Sequence, residues 1–266
     1  MRARCANILG VTILIAACPA RAQIADCRFD VIGTGHVATV IDGRSFTLAD
    51  GREVKLAGIE VPLPKRLGEE GDAASRAAKA ALQSAIAGRD VTLRAPASQA
   101  DRYGRLSAYV FPEGSGEPVQ HVLLAQGAAR MAARVDTQGC AATLLTREKA
   151  AREAKLGLWA DPVYDIRRAD NPATILSERG RFAVVEGKVL SVRESGASIY
   201  MNFARRWSRG FAVTISKRDA RAFAAAGAEP KTFEGRVVRV RGFIEERSGP
   251  RIEATRPEQI EIAGQN

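Results

Sequence analysis

Histidine is almost missing from this chain. His36 and His121 are the only two in 266 residues, and no two cysteines stand as a C-x-x-C pair. Both facts argue against a zinc-type centre, which draws on several closely spaced Cys and His ligands. Low-complexity tracts are absent too, and the apolar run Ile8 to Ala17 is too short to cross a bilayer. What remains is the composition of a soluble protein, 46% hydrophobic and 26% charged. The length suits one large domain or two modest ones.

The N-terminus reads as a targeting segment. Arg2 and Arg4 precede the apolar run, and Ala20-Arg21-Ala22 offers an A-x-A cleavage site. A rival processing site, Ile15-Ala16-Ala17-Cys18, would leave Cys18 as a lipid-anchored N-terminus. Cleavage after Ala22 fits the polar stretch that follows it, and removing three arginines lowers the net charge from +10 to +7. It also removes Cys5 and Cys18. The isolated pair left in an exported chain, Cys27 and Cys140, is expected to form a disulfide. The basic balance points to a polyanion or an anionic surface as partner.

The organising stretch runs from Val40 to Pro62. Two β-rich runs flank Asp50-Gly51, a dipeptide suited to a tight hairpin turn. Asp42 and Glu60 fall at the two ends, where a hairpin brings them together, so the two carboxylates could face one hard cation. Lys55 and Arg105 could add positive charge nearby. The plainer alternative makes them structural: Asp42 caps the turn at Gly43, Glu60 pairs with Arg44 or Lys55, and Arg105 pairs with Asp101 or Glu60.

Beyond the hairpin, alanine-rich apolar positions at helical spacing from Gly71 predict a helix ended by Gly88. Strands are expected at Asp90–Arg94 and Leu106–Phe111, with a turn at Asp101–Arg105 between them. A short helix over Val119–Gln126 and a longer one over Thr143–Leu156 follow, before Leu158-Trp159 docks on the core. Residues 163–180 lack apolar periodicity and read as a linker. From 181 onward the pattern is short strands around Phe182–Val189, Ser198–Phe203, Phe211–Ile215, Val237–Gly242 and Arg251–Ala254. One helix, Asp219–Ala226, follows the third, as in a small Greek-key barrel of OB type.

Four motifs now stand in order: Val40-Ile41-Asp42-Gly43-Arg44-Ser45, Lys55-Leu56-Ala57-Gly58-Ile59-Glu60-Val61-Pro62, Asp101-Arg102-Tyr103-Gly104-Arg105 and Gly157-Leu158-Trp159. In this order and spacing, residues 35–160 resemble the staphylococcal nuclease (thermonuclease) family. The resemblance implies a five-stranded OB-type barrel with three helices, and descent from calcium-dependent phosphodiesterases acting on DNA and RNA. It places Arg44 where the family has a calcium-binding aspartate, and a cation there opposes metal entry. Glu60 keeps a carboxylate at a second ligand position, and Val61 could still offer its carbonyl. Leu63 stands where the family has its candidate general base, with Glu69 and Glu70 the nearest substitutes. Lys55 replaces one phosphate-binding arginine and loses the bidentate fork; Arg105 keeps the other. Arg44 is itself a candidate phosphate contact in the vacated calcium position.

The fold expected is thus α+β, mainly β: a leader over 1–22, a nuclease-like barrel over 23–162, a linker over 163–180 and an OB-like domain over 181–266. The second domain carries sixteen basic and ten acidic residues. Its segment around Arg205, Arg206, Trp207 and Arg209 interleaves cations with aromatics, the composition that grips single-stranded nucleic acid. The expected function is an exported, periplasmic or secreted, monomeric protein that binds single-stranded DNA or RNA with weak or no hydrolysis. Two other readings stay open. One is an active metal-dependent nuclease with a rearranged site. The other is an envelope module whose basic surface meets protein or anionic lipid.

Overall fold

The computed structural model describes residue 27 and residues 29–62, 71–96, 100–135, 138–205 and 209–264. The expected leader with its Cys18, and Leu63, Glu69, Glu70, Arg206 and Trp207, lie outside the described residues.

The first unit is a closed barrel with helices packed on it. Its elements are β1 (Val31–Val40), β2 (Ser45–Leu48), β3 (Glu53–Leu56), β4 (Ile59–Glu60), α1 (Ala73–Ile86), β5 (Asp90–Arg94), β6 (Leu106–Pro112), α2 (Val119–Ala125), β7 (Arg130–Met131) and α3 (Gln138–Glu153). Strand order round the barrel is β1-β2-β3-β6-β5, with β6 parallel to β3 and β5 antiparallel to β1. The period-2 pattern of the hairpin decides which side chains enter it. Phe46, Leu48, Val54 and Leu56 are buried, while Lys55 faces the other way. Asp72 caps α1 by accepting from the Ser75 N–H at 2.9 Å, and Ala78, Leu82 and Ile86 form its buried stripe. Buried Gln120 on α2 donates to the Ala57 and Ala108 carbonyls and accepts from the Val110 N–H, which pins α2 to the turn after β3.

α3 begins five residues before the expected start. Its first turn contains Gly139, a weak helix former, and is tethered by the Cys27–Cys140 disulfide, which spans 113 positions. Closing a loop of that length stabilises by about 4–5 kcal/mol through denatured-state entropy. Gly127 and Gly157, both at positive φ, touch backbone to backbone, so a methyl group on either would collide with the other's peptide. Leu158 N–H donates to the Gly127 carbonyl at 2.8 Å, which seats the buried Leu158 and Trp159.

The second unit comprises β8 (Arg167–Arg168), α4 (Pro172–Leu176), β9 (Phe182–Lys188), β10 (Ser191–Ser195), β11 (Ser198–Asn202), β12 (Ala212–Ser216), α5 (Lys217–Ala225), β13 (Val237–Phe243), β14 (Glu245–Glu246), β15 (Pro250–Glu253) and β16 (Ile260–Ile262). It repeats the pairing of the first: β13 runs antiparallel to β9, and β15 runs parallel to β12. The chain breaks register at Val189-Leu190 and at Ile244, so two sheets result, ordered β10-β11-β12-β15-β14 and β16-β13-β9-β8. The five strands expected are therefore supplemented by β8, β10, β14 and β16. Phe203 and Phe211 lie in the core with ring centroids 5.0 Å apart, beside Phe223 and Ile252.

Residues 163–180 are a correction to the linker expectation. β8 pairs in parallel with β9, and Ala169 and Ile175 are buried in the second core. The segment is too short for a visible period, and two apolar side chains suffice to hold it down.

The two units meet through a buried ion network. Arg241 on β13 is 1% exposed and donates to Glu148 on α3, itself fully buried, at 3.0 Å. Arg152 joins Glu148 to Glu261, and Arg239 joins Glu261 to Glu186. Arg130 on β7 lies over the rings of Tyr164 and Phe182, at 5.3 and 4.9 Å from their centroids. Buried charges persist only when paired and hydrogen-bonded, so each unit supplies the counter-charges that the other needs.

Candidate functional site

The candidate site is built where β1 turns into β2 and β3 turns into β4. After Val40, the Ile41 and Asp42 N–H groups both donate to the Ser45 carbonyl, and Asp42 Oδ1 accepts from the Arg44 N–H at 2.8 Å. Asp42 thereby closes its own turn, as short acidic side chains do. Gly43 lies under α1, where a β-carbon would come 2.7 Å from Ala78 Cβ. Gly58, at positive φ, sits equally close to Leu144 and Tyr109 and swings the chain into β4. Glu60 is then held in register opposite Arg130.

These constraints bring Arg44 and Glu60 face to face. Arg44 Nη1 lies 2.7 Å from both oxygens of Glu60, and each side chain is only 15% exposed. Lys55 projects beside them from β3, half-buried; burial lowers its pKa, Arg44 lowers it further, and Glu60 opposes both. Arg105 is turned back on its own loop. Its Nε and Nη2 donate to Asp101 Oδ2 at 3.0 and 2.8 Å, and its guanidinium lies 4.9 Å from the Tyr103 ring centre. The side-chain bond from Arg105 draws the Asp101 pKa down to about 2.

Asp42, Arg44, Lys55 and Glu60 are thus brought together, whereas Arg105 is paired elsewhere. Both candidate metal-binding carboxylates are engaged by Arg44, one through its backbone and one through its side chain. Among the described residues no group of three or more His, Cys, Asp or Glu converges, while calcium takes six to eight oxygens. The described carboxylates here, Asp42 and Glu60, supply fewer oxygens than a calcium ion takes.

Residues 53–161 match the family model described as Staphylococcal nuclease homologue. From β3 through α3 the first barrel is therefore similar to staphylococcal nuclease homologues, with β1 and β2 outside the match. No curated protein matches the chain. That family is typically calcium-dependent, and in this chain the segment carrying Lys55 on β3 and Glu60 on β4 borders the second unit. A cavity of about 370 Å³ lies there, lined by Lys55, Glu60 and Arg134 on one side and Glu245, Glu253 and Gln259 on the other.

The predicted nucleic-acid residues divide. Arg205 lines a separate groove of about 840 Å³ on the second unit, and Arg209 is exposed outside it. Tyr200, from the same aromatic-and-cation stretch, lines that groove, as do Arg193 and Arg247, which were not anticipated. Ser191-Val192-Arg193-Glu194-Ser195, which forms β10, carries a single apolar residue and so gave no periodic signal.

Proposed function

We propose that this chain is an exported nucleic-acid-binding protein whose first barrel hydrolyses phosphodiesters weakly or not at all. The observation that carries this reading is the Arg44–Glu60 pair. A guanidinium bonded to both oxygens of Glu60 uses the carboxylate that would otherwise coordinate a cation, and its charge repels one. Without a bound metal, Lewis-acid stabilisation of the phosphate is lost, and that term is worth several kcal/mol. With Leu63 at the family's general-base position, a proton acceptor is lost as well.

Binding is supported by the excess of basic residues from Arg181 onward, sixteen against ten acidic, and by the similarity of residues 53–161 to the nuclease family. Lys55 and Arg105 serve as phosphate contacts in this reading, with Arg205, Arg206, Trp207 and Arg209 contributing from the second unit. Export is supported by the leader pattern and by the Cys27–Cys140 disulfide, which persists in an oxidising compartment.

Titration of DNA and RNA oligonucleotides across a salt series tests the binding half. Affinity that falls linearly with log salt is expected. No binding at low salt would instead favour an envelope module that meets protein or lipid.

A further inference from the structure

The second unit presents an outward groove whose chemistry is unlike the rest of the surface. Its floor is small and uncharged, made by Ala204, Gly210 and Ala212. Tyr200 on β11 stands in it, registered between Arg193 on β10 and Thr214 on β12. Arg205 comes from beyond β11 and Arg247 from the turn between β14 and β15, so cations from three elements line the groove that holds the ring.

Most buried or half-buried arginines of this protein are neutralised: Arg44, Arg167, Arg239 and Arg241 each hold a carboxylate. In the groove only Arg251 does so, through Glu245 at 2.7 Å. Among the described residues, Arg193, Arg205 and Arg247 have no carboxylate in ion-pair range, and the one acid lining the groove, Glu194, is taken by Lys217 at 3.2 Å. Three guanidiniums without an ion-pair partner and one aromatic ring lining a single groove suit an anion that also carries a flat apolar surface.

Strand position strengthens the assignment. In the first barrel Lys55 on β3 is registered with Ser45 on β2 and Ser107 on β6. In the second, Thr214 on β12 is registered with Tyr200 on β11 and Glu253 on β15. The groove therefore occupies the same outward face in the repeated strand order that the candidate site occupies in the first barrel.

We propose that this groove binds single-stranded nucleic acid, with one base stacked on Tyr200 and neighbouring phosphates on Arg193, Arg205 and Arg247. The inference rests on the nucleic-acid-binding function proposed above and adds where the strand lies. A duplex hides its bases from Tyr200, and a flat lipid surface cannot enter a concave site.

Fluorescence anisotropy on the full-length protein tests it. The probe is a labelled oligothymidylate of about twelve nucleotides, within the span of one OB barrel; the matching duplex and phosphatidylglycerol vesicles serve as competitors. Tyr200→Ala should weaken binding roughly 5- to 100-fold, the loss of one stacked base, whereas Tyr200→Trp should keep wild-type affinity. Arg193→Ala with Arg247→Ala should weaken binding and reduce the salt slope by roughly 1.4, the value for two phosphate contacts on a single strand. Circular dichroism checks that each variant is folded; should Tyr200→Ala misfold, the arginine variant carries the test.

Wild-type affinity in the folded variants would overturn the groove while leaving the function reading intact. Preference for duplex or vesicles over the single strand would overturn it as well. Failure of the wild-type protein to bind any oligonucleotide would overturn both.

Discussion

Arg44 Nη1 donates to both carboxylate oxygens of Glu60 at 2.7 Å, joining the turn after β1 to the strand β4. The bond sets a guanidinium against the Glu60 carboxylate, each side chain only 15% exposed. Lys55 and the Asp42 carboxylate, which a backbone N–H alone engages, are charges that this pair leaves beside it.

Replacing Arg44 should therefore reopen the position. In Arg44→Asp, three carboxylates would surround the gap in place of one ion pair. Calcium at about ten times its dissociation constant should then stabilise the variant by about 1.4 kcal/mol. Thermal unfolding with and without calcium reads this as a Tm rise of roughly 3–6 °C. The wild-type Tm should not move; an equal rise in both proteins would show that Arg44 does not control the site.

The buried network gives a stability prediction. Glu148→Ala leaves Arg241 charged, fully buried and short of its main acceptor, so it should cost about 3–5 kcal/mol. Replacing both partners, Glu148→Leu with Arg241→Met, should cost far less, because no uncompensated charge remains. Urea unfolding of the single and double variants measures the difference.

How much of this could be read from the residues follows from the range of the forces involved. The hairpin and α1 were legible because period-2 and helical patterns are local, as Phe46, Val54 and Leu82 illustrate, whereas the barrel was expected only through the family resemblance. The Arg44–Glu60 pair was legible as one of two readings, since a hairpin fixes the distance between its ends. Arg241–Glu148 was not legible: 93 residues separate the partners, and nothing local marks either as buried. The groove was half legible. Arg205 sits in a basic aromatic stretch, whereas Arg247 enters through a turn that only tertiary folding brings beside Tyr200.

His121 supplies a pH prediction. It is packed against the wall of a small cavity near the disulfide; burial lowers its pKa, Glu117 opposes the shift and Arg147 reinforces it. The folded protein thus resists a proton that the unfolded chain accepts below its ordinary pKa of about 6.5. Stability should fall as pH drops through that value, by at most about 1.4 kcal/mol per pH unit for this group. Urea unfolding above and below it should show the loss, and His121→Gln should reduce it. An unchanged pH dependence in that variant would contradict the assignment.

Cleavage of labelled single-stranded DNA in calcium and in EDTA tests the central claim most directly. The account predicts the same slow or undetectable cleavage in both, from a protein that still binds the strand. Rapid calcium-dependent cleavage, abolished by EDTA and by Glu60→Ala, would contradict it and mark the Arg44–Glu60 pair as a resting state of an active nuclease.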